Sequence, residues 1–200
     1  MHRTLAATAV AALLITLPAF AQVHPHIGWS LGLNAHLATT ATHFGGAGIS
    51  ATMGATSHNA SLQAAYGLPL GDKGMLGLGM TVGVGDLEGG SMRLAGTGLS
   101  FKTRDMYSVY IEPGHVLAAS TLLYAKLAYL GARGEESYGG ATFSKTFAGV
   151  GYGVGSRTML SRHLYLQFEF LQSDYEWKTA RTGAFRPVST TGTIGLGYKF

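Results

Sequence analysis

Apolar and small or polar residues alternate in eight stretches of the chain, and no helical periodicity interrupts them. Ile27, Trp29, Leu31, Leu33, Ala35 and Leu37 form one face of the first stretch, with Gly28, Ser30, Gly32, Asn34 and His36 on the other. The second sets Ala60, Leu62, Ala64, Tyr66 and Leu68 against Asn59, Ser61 and Gln63; the third sets Leu76, Leu78, Met80, Val82 and Val84 against glycines and Thr81. Tyr107, Val109 and Ile111 oppose Ser108, Tyr110 and Glu112, and Leu123, Ala125, Leu127 and Tyr129 oppose Tyr124, Lys126 and Ala128. The sixth places Ala148, Val150, Tyr152 and Val154 against four glycines, and the seventh places Leu164, Leu166, Phe168 and Phe170 against Tyr165, Gln167 and Glu169. Thr193 to Phe200 completes the set. A period of two predicts strands. Eight strands of about 10 residues match the smallest transmembrane barrels.

The links between stretches alternate in length. Pro69 to Gly74, Leu117 to Ser120 and Ser156 to His163 are short. Ala38 to Thr56, Asp86 to Gly98, Gly131 to Lys145 and Ser173 to Arg186 are longer and rich in Gly, Ser and Thr. Short periplasmic turns and long outer loops are the expected arrangement. The fold class is therefore all-β: an eight-stranded antiparallel transmembrane β-barrel, an up-and-down meander.

A water-soluble barrel also alternates, but its apolar face points inward. The charges Glu112, Lys126 and Glu169 all fall opposite the apolar face, among glycines. That face makes a poor exterior for a soluble protein and a sensible lumen. No apolar face carries Lys or Arg at mid-strand, where lipid exposure costs about 2–4 kcal/mol. Asp105 is the one acidic residue in an apolar phase, near the outer margin of its strand. An eight-stranded lumen is filled by side chains, and the glycines leave space for Tyr110, Tyr124, Tyr165 and Lys126. Buried charges need partners, so Lys126 is expected to bridge Glu112, Glu169 or both.

Composition sharpens the picture. Charged residues are only 12%, against about 25% in a soluble domain. Arg3 precedes an apolar run from Leu5 to Leu17, and Ala19 and Ala21 stand at the small positions of an export cleavage site. Residues 1–21 are thus expected to be a secretory signal peptide and 22–200 the barrel domain. Of 14 Lys and Arg, Arg3 leaves with the leader, so 13 face 10 Asp and Glu, which does not suggest a nucleic-acid partner. The absence of cysteine excludes thiolate metal sites and thiol nucleophiles.

The segment Gly195-Leu196-Gly197-Tyr198-Lys199-Phe200, with Tyr107 to Gly114 and Leu123 to Leu127, resembles the small outer-membrane β-barrel family that includes the OmpA transmembrane domain, OmpX and the opacity proteins. The resemblance covers the whole exported chain and implies residence in a Gram-negative cell envelope. It implies that Tyr198 and Phe200 are part of a signal read by the barrel-assembly machinery. The chain ends on the eighth stretch, so a periplasmic peptidoglycan-binding domain of the OmpA kind is not expected.

No catalytic, cofactor or metal site is expected. Ser57-His58-Asn59 does not match lipid A-modifying barrels, and His24 and His26 lack a ligand cluster. Gly149 to Gly153 has period two and no following helix, which excludes a phosphate loop. The loops are the better candidates for binding. Arg93, Arg104, Arg133, Lys145, Arg181 and Arg186 are candidate lipopolysaccharide contacts, although nearby acids nearly balance them. The expected protein is a monomer in outer-membrane lipid with a structural or surface-interactive role, including a host or surface ligand at its loops. The alternatives are a narrow path for small hydrophobic compounds, as in OmpW-type barrels, and lipid A modification.

Overall fold

The computed structural model describes residues 25–46, 48–118, 120–180 and 182–200. The signal-peptide expectation and Arg181 lie outside the described residues. Ten strands follow in chain order: β1 (Gly28–Gly46), β2 (Ile49–Leu70), β3 (Gly74–Val84), β4 (Leu87–Leu94), β5 (Thr97–Ala118), β6 (Thr121–Tyr138), β7 (Ala141–Met159), β8 (Leu164–Tyr175), β9 (Lys178–Thr179) and β10 (Ala184–Lys199). β3 and β4 occupy one position in the wall, as do β8 and β9, so the ring counts eight. Its ladders are all antiparallel, and β1 pairing β10 from Ser30↔Lys199 to Gly45↔Ala184 closes it.

The period-two pattern places its apolar face outward. Leu31, Leu33, Leu62, Val109, Leu127, Val154, Phe170 and Leu196 are among the large apolar side chains left exposed, while Asn34, Gln63, Glu112, Lys126, Arg157, Gln167 and Glu169 are buried. This is the reverse of a soluble barrel and matches a wall surrounded by acyl chains. Trp29, Tyr66, Tyr198 and Phe200 lie at the end expected to be periplasmic. Tyr107, Tyr129, Tyr152 and Phe170 mark the outer margin of the apolar belt. Aromatic girdles of this kind flank the bilayer core.

The strands are far longer than the belt needs. β2 and β5 have 22 residues each, about 70 Å at the usual rise per residue, against an apolar band about 25 Å tall. The four long outer loops expected over 38–56, 86–98, 131–145 and 173–186 are therefore mostly strand. β1 and β2 are separated by residues 47–48, β4 and β5 by Ala95–Gly96, and β6 and β7 by Gly139–Gly140. Positive φ at Ala95, Gly96, Gly139 and Gly140 is the geometry of two-residue hairpin turns, whose twist matches that of the flanking strands. The short link expected at 156–163 is also corrected: β7 continues to Met159, so Arg157 belongs to the barrel wall.

Above the belt the polarity reverses. Outward positions on β1 change from Leu33 and Leu37 to Thr39, Ala41 and His43. Inward positions change from Asn34 and His36 to Phe44, which joins Met53, Leu94, Leu99, Phe101, Phe147 and Phe185 in an apolar cluster. Among the described residues no ladder joins β2 to β4 there, and the β7–β8 ladder stops at Gly149↔Tyr175. The ring thus opens into two sheets, β2-β1-β10-β9 and β4-β5-β6-β7, facing each other across the phenylalanines. Phe101 and Phe185 stack between them at 5.4 Å. A lipid-facing barrel below continues as an apolar-cored sandwich above.

Candidate functional site: a filled lumen under a charged rim

Glycines on neighbouring strands give the lumen tyrosines their places. Tyr110 lies opposite Gly79, Tyr124 opposite Gly155 and Tyr165 opposite Gly197. In each pair a Cβ on the glycine would collide with the tyrosine ring. The rings therefore lie flat across the wall, filling the barrel where a side chain on the neighbouring strand would exclude them.

Between these rings four buried charges meet. Lys126 Nζ, on β6, lies 3.1 Å from Glu112 of β5 and 2.5 Å from Glu169 of β8. The reach to β8 crosses the lumen. Tyr124 donates to Glu169 at 2.9 Å. The sequence reading missed Arg157, whose Nη2 lies 3.2 Å from Glu112 and donates to Gln167 at 2.8 Å. Its guanidinium is packed between Tyr124 and Tyr165, 5.2 and 5.1 Å from their centroids. Lys126 stands 4.1 Å from the Tyr110 centroid, so both cations also gain cation–π contact. Gln167 donates on to Gln63, which accepts from Asn34. Two carboxylates face two cations, so the layer is electrically closed. Each charge has a fixed partner, as burial demands.

Apolar residues close the lumen on both sides of this layer. Met75, Val116, Leu122 and Tyr124 pack together toward the periplasmic end, and the phenylalanine cluster lies at the outer end. Between the ionic layer and the outer cluster is a cavity of about 110 Å³, lined in part by His36, Ser61, Ser108, Ser173, Ser189 and Thr191. His36 is held between Thr193 at 2.8 Å and Ser61 at 2.7 Å. The cavity has room for a few waters. Among the described residues the hydrogen-bond partners of His36 are these two hydroxyls.

The candidate lipopolysaccharide residues fall into two kinds. Arg104 lies 3.3 Å from Asp86 and 2.9 Å from Glu135, and Lys102 bridges the same two acids. Arg133 pairs with Asp105 at 3.4 Å, and Arg186 grips Asp174 through Nη2 at 2.6 Å. These cations are engaged within the protein. Arg93 and Lys145 are exposed, with no ion pair among the described residues. Glu176, above the belt, accepts from the Ala148 amide at 3.1 Å and pairs with Lys178 at 2.8 Å. The Lys178 contact first, and then the amide, hold its carboxyl below the ordinary value.

At the opposite end Tyr198 stacks on His163 at 5.4 Å and meets Phe200 edge-on at 5.1 Å. The Phe200 amide donates to the Trp29 carbonyl at 3.0 Å. The aromatic pair is thereby fixed at the β1–β10 closure, facing outward.

Solved structures share this architecture. Neisserial surface protein A aligns with a TM-score of 0.53 at 14% identity, over 86% of this chain and 97% of that one. The outer membrane protein OprG of Pseudomonas aeruginosa aligns at 0.51 and 12%, over 88% and 97%. Ail, the attachment invasion locus protein of Yersinia pestis, solved with the heparin analogue sucrose octasulfate, gives 0.48 at 14%, over 87% and 100%. At these identities the likeness is one of fold. No curated protein sequence matches the chain. The profile of the outer membrane protein beta-barrel domain matches residues 7–200. The chain belongs to that family, and it is a β-barrel of the Gram-negative outer membrane.

Proposed function

We propose that this barrel is a non-catalytic surface protein, whose membrane part is a sealed anchor and whose sandwich presents a binding surface outside the cell. The filled lumen carries this reading: the ionic layer of Glu112, Lys126, Arg157 and Glu169 spans the barrel between two apolar clusters. A conducting path would have to break buried ion pairs and part the phenylalanines together. Planar-bilayer recording tests it. The expected result is silence, and reproducible openings abolished by filling the cavity beside His36 would instead establish a transport path. That second reading draws on the cavity itself.

Three further expectations join this proposal. The lipid A mass spectrum should be unchanged on overexpression, as a barrel without an activated nucleophile requires. Residues 1–21 act as the export leader, which amino-terminal sequencing of the envelope protein checks. Tyr198 and Phe200 serve assembly, so Phe200→Ala should slow insertion while leaving the folded barrel intact. The exposed Arg93 and Lys145 are better placed for lipopolysaccharide phosphates than Arg104, Arg133 and Arg186, each of which already faces a carboxylate.

A further inference from the structure

The separation of the ring into two sheets leaves a strand edge outside the membrane. From Ala141 to Phe147, β7 is laddered to β6 alone. Which of its groups face the open side follows from Ala148, whose N–H goes to Glu176 Oε1 and whose carbonyl accepts the Glu176 amide. Ala148 therefore points away from β6. The β6–β7 register runs without a bulge, so alternation turns the N–H and C=O of Thr146, Ser144 and Thr142 the same way. Among the described residues no backbone partner meets these three. The corresponding edge of β2 is different, because β4 packs on it: a Cβ at Gly90 would touch Met53 and the Gly54 backbone.

Natural proteins shield such edges with charge, proline, a bulge or a cover. This one has only Lys145. Thr142, Ser144 and Thr146 are small and exposed, and Phe143 and Phe147 flank Lys145 on the other face. The slot is bounded by the Gly139–Gly140 turn and by the Glu176 cap.

The geometry points to strand addition: β7 receives an extended segment of a partner polypeptide, bonded to Thr142, Ser144 and Thr146. The segment is apolar, acidic and apolar at successive alternate positions, opposite Phe143, Lys145 and Phe147. Unpaired groups recurring every second residue are matched only by another extended strand, and the exposed Lys145 on this edge selects the acid. A second copy in the same membrane does not fit. Antiparallel edge-to-edge pairing has its two-fold axis normal to the sheet, which would invert one barrel across the bilayer. The inference rests on the surface-binding reading and names where and what it binds.

The test uses the refolded barrel in detergent micelles and a fluorescein-labelled probe, Thr-Val-Thr-Glu-Thr-Val-Thr. Anisotropy should show saturable binding, weakened about tenfold or more by Ser144→Pro, which deletes a free N–H without touching the β6 ladder, and little changed by Ser144→Ala. A probe N-methylated along its bonding edge should bind about tenfold more weakly to the unaltered protein, which keeps the test decisive even if the proline variant misfolds. Replacing the probe's glutamate by lysine should also weaken it. The amides of Thr142, Ser144 and Thr146 should exchange rapidly in the free protein and slowly with probe. Equal affinity for the methylated probe, protection of these amides in the free protein, or protection that grows with protein concentration alone would overturn the proposal. Partner binding by whole cells that survives Ser144→Pro would remove this edge and leave the surface role standing.

Discussion

At the scale of single residues, the lumen is a set of exchanges between size and charge. Gly79, Gly155 and Gly197 give up side chains so that Tyr110, Tyr124 and Tyr165 can cross their strands. Gly197→Ala should therefore destabilise by about 1–3 kcal/mol, the range for overpacking, read as a lower urea midpoint in micelles. Lys126 and Arg157 neutralise Glu112 through different oxygens, Oε1 and Oε2. Arg157→Met leaves Glu112 and Gln167 short of a donor, and the loss of one buried partner costs about 3–5 kcal/mol. A double-mutant cycle over Glu112→Gln and Lys126→Met should give a coupling of about 0.5–3 kcal/mol. Independent effects would show that the 3.1 Å contact is energetically idle. The triad of Glu112, Lys126 and Glu169 was legible in the sequence because each lies mid-strand in the polar phase. Arg157 was not, since Ser156 to His163 reads as a turn. Extending the odd phase of Gly149, Gly151, Gly153 and Gly155 by one step would have placed it in the lumen.

At the scale of strands, legibility depends on which face is greasy. Within the belt, large residues recur outward at every second position, and all eight stretches were recognisable. Above it the inward residues are sparse and polar or small residues separate them, as in Ala38 to Phe44, so true strand resembles loop. β5 adds a second obstacle. Asp105 has φ of 47° at a register shift between Arg104 and Tyr107, and the extra residue reverses the phase. Odd positions Tyr107, Val109 and Ile111 face out, whereas Leu99, Phe101 and Thr103 are buried. A straight reading of parity would have put Phe101 in lipid. Deleting Asp105 should turn Leu99 and Phe101 outward, and the variant should lose the heat-modifiable gel mobility of a folded barrel. The tip of β8 carries a pH-dependent contact. Because Glu176 has a folded pKa below its ordinary 4.5, its stabilisation is complete above that value and disappears as pH falls through the folded one. The Ala148 amide resonance should move over that acidic window and stay still in Glu176→Gln.

At the scale of the whole molecule, one chain solves two solvation problems with the same strands. Within the belt the ring is closed by antiparallel ladders, which pair the backbone inside the wall as hydrocarbon requires, and the ionic residues retreat to its axis. Beyond it, water can take over main-chain groups, so the ring can part into sheets and leave β7 with an open edge. The apolar side chains then move inside, as in any soluble sandwich. The boundary between the two regimes falls on β1 between Leu37 and Thr39. The absence of cysteine lets single nitroxide labels be placed along this one strand in reconstituted protein. Labels at Leu31, Leu33 and Leu37 should relax with dissolved oxygen and ignore a water-soluble nickel chelate, and labels at Thr39, Ala41 and His43 should do the opposite. Nickel access at Leu33, or a label at His43 that responds like one in lipid, would contradict this boundary.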